Sequence, residues 1–262
     1  MQKIKTVFTH DNSVVRVILD DGKGNVLDHI MMEELQELLN AFRQNSHLKL
    51  IVFEGAGKHF SFGASVEEHK KEFAAAMLSS FHRLFYSLSE LAIPTLAKIS
   101  GQCLGGGLEV ALMCNFMFAD KTAKLGQPEI MLGVFPPPAS IILAEKIGLA
   151  RAENLLLTGK TIDAAEAKSI GLVAELFEDK AAMETGTELW IEQYIIPKSA
   201  TSLRYGVKAS RIKFNHILSN FLPQLERLYM NELMATHDAN EGINSFIEKR
   251  KPVWENQKET IK

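Results

Sequence analysis

The sequence predicts an α/β chain: a mostly parallel sheet covered by helices, followed by an all-helical tail. Three observations carry that reading. Short apolar runs alternate with stretches of helical spacing as far as Leu176, which implies right-handed strand–helix–strand crossovers. Glycine, aspartate and proline punctuate the joins. From about Pro197 onward convincing strands stop while helical spacing continues.

Taken in order, Val14 to Leu19 reads as a strand closed by the turn residues Asp20-Asp21-Gly22. Asp28 is placed to cap a helix running to about Phe42, with Met31, Leu35, Leu38, Leu39 and Phe42 on one face. Leu50 to Phe53 is a short buried strand closed by Gly55-Ala56-Gly57. A helix follows from about Glu72 to Leu88, broken ahead of Pro94 because the residue before a proline resists helix. Strands are expected at 95–99, at 116–119 and from Leu172 to Leu176. Residues 1–196 form the core on this reading, and residues 197–262 a helical C-terminal region. Its stripe of Phe221, Leu222, Leu225, Leu228, Tyr229 and Leu233 fits either a cap on the core or, preferably, an oligomerisation layer.

Between the strands at 95–99 and 116–119 lies Leu104-Gly105-Gly106-Gly107-Leu108-Glu109, a turn opening a helix. Free N–H groups at a helix N-terminus suit an anion or a developing oxyanion. Glycine lets a ligand approach that backbone closely. A glycine cluster alone more often marks a plain turn. Here, however, Leu108 and Val110 to Cys114 predict a helix buried nearly all round, in which the carboxylate of Glu109 is costly unless partnered or functional. A second carboxylate arrives in Gly126-Gln127-Pro128-Glu129, where Pro128 favours an extended Gln127, as at a strand end delivering Glu129 into a pocket. Two carboxylates beside an oxyanion site can move protons around a polarised carbonyl. The Lys-Ser/Thr of a P-loop and a Gly-x-Gly-x-x-Gly turn are both missing.

The whole chain narrows the function classes. Its 262 residues, 46% hydrophobic, can bury a large core. A net charge of −3 gives no electrostatic case for nucleic acid or anionic membrane. No apolar stretch is long enough to span a bilayer, and Met1 to Thr6 lacks the apolar segment of a signal peptide, so a cytoplasmic protein is expected. Cys103 and Cys114 read as small core residues, and the eight histidines form no metal-ligating pattern, so no metal is expected.

Three ordered motifs carry a family resemblance: Lys58-His59-Phe60-Ser61-Phe62-Gly63-Ala64, then Gly101 to Glu109, then Gly126 to Glu129. Over roughly residues 5–255 the chain resembles the crotonase (enoyl-CoA hydratase/isomerase) superfamily. The resemblance implies a spiral of ββα turns with a helical C-terminal region that forms a homotrimer or a dimer of trimers. It also implies an acyl-CoA thioester as substrate, with coenzyme A part of that substrate and no separate cofactor. Ala64 and Gly106 match the positions whose N–H groups form the oxyanion hole. Ala64, Ser65, Val66 and Glu67 match the segment whose backbone binds the adenine end of coenzyme A. Glu109 and Glu129 match the pair that holds the water in family hydratases, one ionised and one protonated because both cannot easily ionise together.

Two segments depart from the general pattern. Ser65 stands where an aspartate commonly follows the oxyanion alanine, and Phe135-Pro136-Pro137-Pro138-Ala139-Ser140 replaces a glycine-rich turn. Pro137 falls where a glycine N–H would help position the water, and proline has none to give. The water must be held differently, in a pocket with a stiffer floor bordered by Phe135 and Met131. These segments resemble the subgroup of cyclohexa-1,5-diene-1-carbonyl-CoA hydratases of anaerobic aromatic degradation, in which 1,4-addition of water gives 6-hydroxycyclohex-1-ene-1-carbonyl-CoA. A straight-chain enoyl-CoA hydratase, an enoyl-CoA isomerase, and a non-catalytic acyl-CoA- or RNA-binding relative stay open as alternatives. The last would call for a lost glutamate or a basic patch. The basic stretch Arg204 to Lys213 is better read as a solvated helix face.

Overall fold

The computed structural model describes residues 1–256. Its strands are β1 (Ile4–Thr9), β2 (Val14–Leu19), β3 (Leu50–Gly55), β4 (Thr95–Ile99), β5 (Gln102–Leu104), β6 (Phe116–Asp120), β7 (Lys124–Gly126), β8 (Thr161–Asp163) and β9 (Glu175–Phe177). The helices of the core are α1 (His29–Phe42), α2 (Lys71–Leu91), α3 (Gly106–Met113), α4 (Pro137–Ile147), α5 (Leu149–Thr158), α6 (Ala164–Ser169) and α7 (Lys180–Tyr194). After them come α8 (Ala200–Ser210), α9 (Ile212–Arg227) and α10 (His237–Ile247). The large sheet runs β1-β2-β3-β4-β6-β9, antiparallel between β1 and β2 and parallel elsewhere. A smaller sheet runs β5-β7-β8. Successive passes of the chain thus give β4 and β6 to the large sheet and β5 and β7 to the small one, the α/β spiral that the motifs imply.

Period-two alternation decides which face each side chain joins. Val15, Val17, Ile51 and Phe53 enter the main core with α1 and α2, while Val14, Leu50 and Val52 pack under α7 with Met183 and Ile191. Both faces of β3 are covered, so its sequence is an unbroken apolar run. Asp28 caps α1 by accepting from Met31 N at 3.1 Å. Ala92, with φ +50°, ends α2 two residues before Pro94.

Three details correct the sequence reading. β1 went unrecognised because it is an edge strand with little buried surface. The strand expected at 172–176 lies further on: Leu172 and Val173 are buried loop residues, and pairing with β6 begins at Glu175. The stripe of the C-terminal region is split. Leu222 and Tyr229 are buried in the chain's own core, whereas Phe221 and Leu228 are 45% and 42% exposed. The region is fastened to the core by arginines of the basic stretch. Arg204 donates to the carbonyls of Asn45 (2.6 Å) and Leu91 (3.3 Å), and Arg211 to that of Met113 (2.8 Å). Residues 257–262 of the predicted C-terminal region lie outside the described residues. No helix among the described residues is long and apolar enough to cross a membrane.

Candidate active site

The site is assembled from two strand-to-helix joins laid side by side. Ser61 N donates to the Gln102 carbonyl and Leu104 N to the Ser61 carbonyl, both at 3.0 Å, so the segment leading to Ala64 runs alongside β5. On its other flank Leu27 N donates to Gly63 O (2.9 Å) and Ser65 N to Leu27 O (3.2 Å). These bonds turn the Ala64 N–H away from Leu27. Asn25 holds the whole loop from behind, its buried amide donating to the carbonyls of Ala56, His59 and Phe60. The Ser61 hydroxyl accepts from Gly63 N at 3.0 Å and donates to Asn25 O at 2.7 Å.

α3 begins beside this loop. A methyl group on Gly106 would lie 3.0 Å from Ala64 N, so the two candidate oxyanion donors share one small space. Neither N–H meets an acceptor among the described residues. Both belong to backbone fixed by its neighbours, a preorganised arrangement able to stabilise an oxyanion. Every residue of α3 is buried, as its apolar run implies.

Glu109, one turn into α3 and 3% exposed, accepts from Ala139 N at 2.8 Å. Burial pushes its carboxyl well above the ordinary range and the charge of Glu129 adds to that, against a smaller lowering by the Ala139 N–H. Glu129 sits on a short 3₁₀ turn (Pro128–Leu132) just after β7, with Gln127 extended between them at φ −121°, ψ 83°. Burial pushes Glu129 up to about 8. The Gln127 side chain is fully buried; with its amide nitrogen facing the carboxylate it donates to Glu129 Oε2 and Oε1 at 3.0 and 3.2 Å. The carboxylate of Glu129 comes so close to the backbone of Gly105 that a Cβ there would lie 2.5 Å from Oε1. That approach requires glycine at 105, where φ is +49°. With both pKa values raised in one site, the pair titrates as a unit and keeps protons at pH values where free carboxyls have lost them.

All eight site residues expected from the sequence line one cavity of about 760 Å³: Ala64, Ser65, Val66, Glu67, Gly106, Glu109, Glu129 and Pro137. Phe81, Val134, Phe135 and Pro136 give it an apolar wall. Pro137 is the first residue of α4 and part of a helix start, not of a free turn. Met131, expected to border that floor, is 65% exposed and packs against Gly159 at the rim. The Ser65 N–H is already taken by the Leu27 carbonyl, and the Val66 and Glu67 carbonyls accept from His69 N and Lys70 N. His69 also lines the cavity; burial lowers its pKa, and its Nδ1 lies 2.7 Å from the Ser65 carbonyl.

The enoyl-CoA hydratase/isomerase family profile matches residues 9–257. The chain belongs to this family. Among relatives, it is 42% identical over 254 residues to the cyclohexa-1,5-dienecarbonyl-CoA hydratase of Thauera aromatica, covering 97% of each chain. It is 37% identical over 232 residues to a probable enoyl-CoA hydratase of Mycobacterium tuberculosis, covering 87% of this chain and 88% of that one. In structure it resembles an enoyl-CoA hydratase from Mycobacterium avium subsp. paratuberculosis, with a TM-score of 0.84 over 96% of this chain and 98% of that one. At 22% identity that likeness speaks for the fold alone.

The three motifs that carry the resemblance converge on one cavity. Sequence reasoning missed what the C-terminal region contributes. Tyr229, Gly242, Ser245, Phe246, Lys249, Arg250 and Pro252 complete the wall, so the cavity is closed by residues beyond 197. The apolar stripe gave a signal for Tyr229, but only as a packing residue.

Proposed function

We propose that this protein is a hydro-lyase that adds water 1,4 to the conjugated diene of cyclohexa-1,5-diene-1-carbonyl-CoA, giving 6-hydroxycyclohex-1-ene-1-carbonyl-CoA. One observation supports this best: two buried carboxylates, Glu109 and Glu129, share a cavity with two unpartnered N–H groups and a helix that starts on consecutive prolines. The coarser reading, an acyl-CoA hydratase, is supported by the family and by its relatives' names. The ring substrate is supported by the Thauera relative's name and by the proline floor.

Ala64 and Gly106 N–H would receive the thioester oxygen. Drawing charge onto that oxygen makes the β-carbon electrophilic. The ionised carboxylate of the pair removes a proton from water while the water oxygen bonds to the β-carbon. The resulting enolate spreads onto the α-carbon and, through the second double bond, onto that bond's far end. Protonation there by the protonated carboxylate moves the remaining double bond into conjugation with the thioester, which is net 1,4-addition. A plain hydratase would protonate the α-carbon instead. Atoms balance with water alone, so the reaction needs no cofactor beyond the coenzyme A carried by the substrate. Base and acid roles are assigned to the pair as a unit. The site of action we infer is cytoplasmic, in anaerobic degradation of aromatic compounds. The assembly we infer is a homotrimer or dimer of trimers, which would cover Phe221 and Leu228.

Glu109→Gln and Glu129→Gln test the carboxylate pair. Each is expected to lower kcat for hydration by about 10²–10⁴-fold while coenzyme A thioester binding, measured by calorimetry, persists. Near-wild-type turnover in either variant would exclude a two-carboxylate mechanism.

A further inference from the structure

The start of α4 offers the cavity no free backbone donor. Pro137 and Pro138 have no N–H, Ala139 N is spent on Glu109 Oε1, and Ser140 N donates to the Pro136 carbonyl at 3.0 Å. A water between two carboxylates gives one proton to the base and one lone pair to carbon. Its second lone pair is best held by a donor, since a misplaced nucleophile is costly. Another element must provide that donor.

We propose that the Tyr229 hydroxyl is that donor, holding the attacking water in place of the backbone N–H that Pro137 lacks; the proposal rests on the hydratase reading above. Tyr229 is 1% exposed and lines the cavity with Glu109, Glu129 and Pro137. Its hydroxyl is buried and meets no hydrogen-bond partner among the described residues. An unmatched buried hydroxyl is unfavourable, and its persistence at a site points to use there. Both glutamates lie close enough for their charge to bear on the phenol, Glu129 more strongly, and burial with these charges keeps it protonated and able to donate. The ring is held edge-on against Phe135 at 5.4 Å and 73°. The backbone is set by a π-helical turn, Leu228–Glu232, that follows α9. Such turns are rare and occur frequently at functional sites.

Tyr229→Phe removes the oxygen and keeps the ring against Phe135. With the diene thioester, kcat is expected to fall about 10- to 100-fold while KM stays within about threefold and the melting temperature does not fall. Adding Pro137→Ala to that variant restores an N–H at the start of α4 and should recover kcat at least about fivefold. Packing alone would not produce such a rescue, so the double variant decides the matter even if the single one melts early. A kcat for Tyr229→Phe within about twofold of wild type, with Glu109→Gln and Glu129→Gln still inactive, would overturn the role of Tyr229 and leave the hydratase reading standing. Absence of recovery in the double variant would also overturn it. If the wild-type protein hydrates neither the diene thioester nor crotonyl-CoA, the hydratase reading falls and this proposal with it.

Discussion

Gly105→Ala perturbs the site at its tightest point. The added methyl would sit 2.5 Å from Glu129 Oε1, and ordinary contact begins at 3.4 Å, so the carboxylate must retreat by about 0.9 Å. A displacement near 1 Å at a reacting group costs about 10²-fold in rate. The backbone adds a separate penalty, because φ +49°, ψ −128° is poorly populated by L-residues and costs about 1–3 kcal/mol. In a chain of this size that lowers the melting temperature by about 2–12 °C. Gly171→Ala separates the two effects: φ there is +80° but nothing lies within 4 Å of a Cβ. It should cost similar stability and leave kcat unchanged. The assay is steady-state hydration followed by chromatographic separation of the diene thioester from its hydroxylated product, with thermal melting run in parallel. If Gly105→Ala loses stability but keeps kcat within about threefold, the close packing of Glu129 on that glycine does not position the reacting carboxylate.

Two further outcomes follow, one from a buried group and one from exposed ones. The Glu129 carboxyl, pushed up to about 8 from an ordinary 4.5, holds its proton in the folded state while the unfolded chain has lost it, so stability falls as pH rises between those values. Glu129→Gln should therefore raise the melting temperature at pH 8 relative to wild type and change it little at pH 4; an equal effect at both would refute the raised pKa. The exposed Phe221 and Leu228 should lie between subunits, so light scattering is expected to give a trimer or hexamer at micromolar concentration, and Phe221→Glu to shift it toward monomer. Only monomer in the wild type would refute that assembly.

The candidate site was largely legible in the sequence because its parts are local. A glycine-opened helix, an apolar run around Glu109 and a proline ahead of Glu129 each encode their own geometry within a few residues. The parts that stayed hidden depend on distant partners. The three-residue strands β5, β7 and β8 are too short to show a period. β1 carries an edge pattern that reads as loop, and pairing of β9 is fixed by β6 and not by the apolar Leu172-Val173. Gln127 faces Glu129 in a fully buried setting that its own neighbours in sequence do not reveal. Tyr229 reads as one more apolar position at helical spacing; the π turn that aims it into the cavity is a tertiary outcome.

The central claim is tested most directly by offering the purified protein cyclohexa-1,5-diene-1-carbonyl-CoA and crotonyl-CoA in competition and identifying the products. The account predicts 6-hydroxycyclohex-1-ene-1-carbonyl-CoA, with kcat/KM for the cyclic diene at least about tenfold above that for crotonyl-CoA, or about 1.4 kcal/mol of differential transition-state stabilisation. Equal or reversed preference would contradict it and leave a straight-chain enoyl-CoA hydratase in its place.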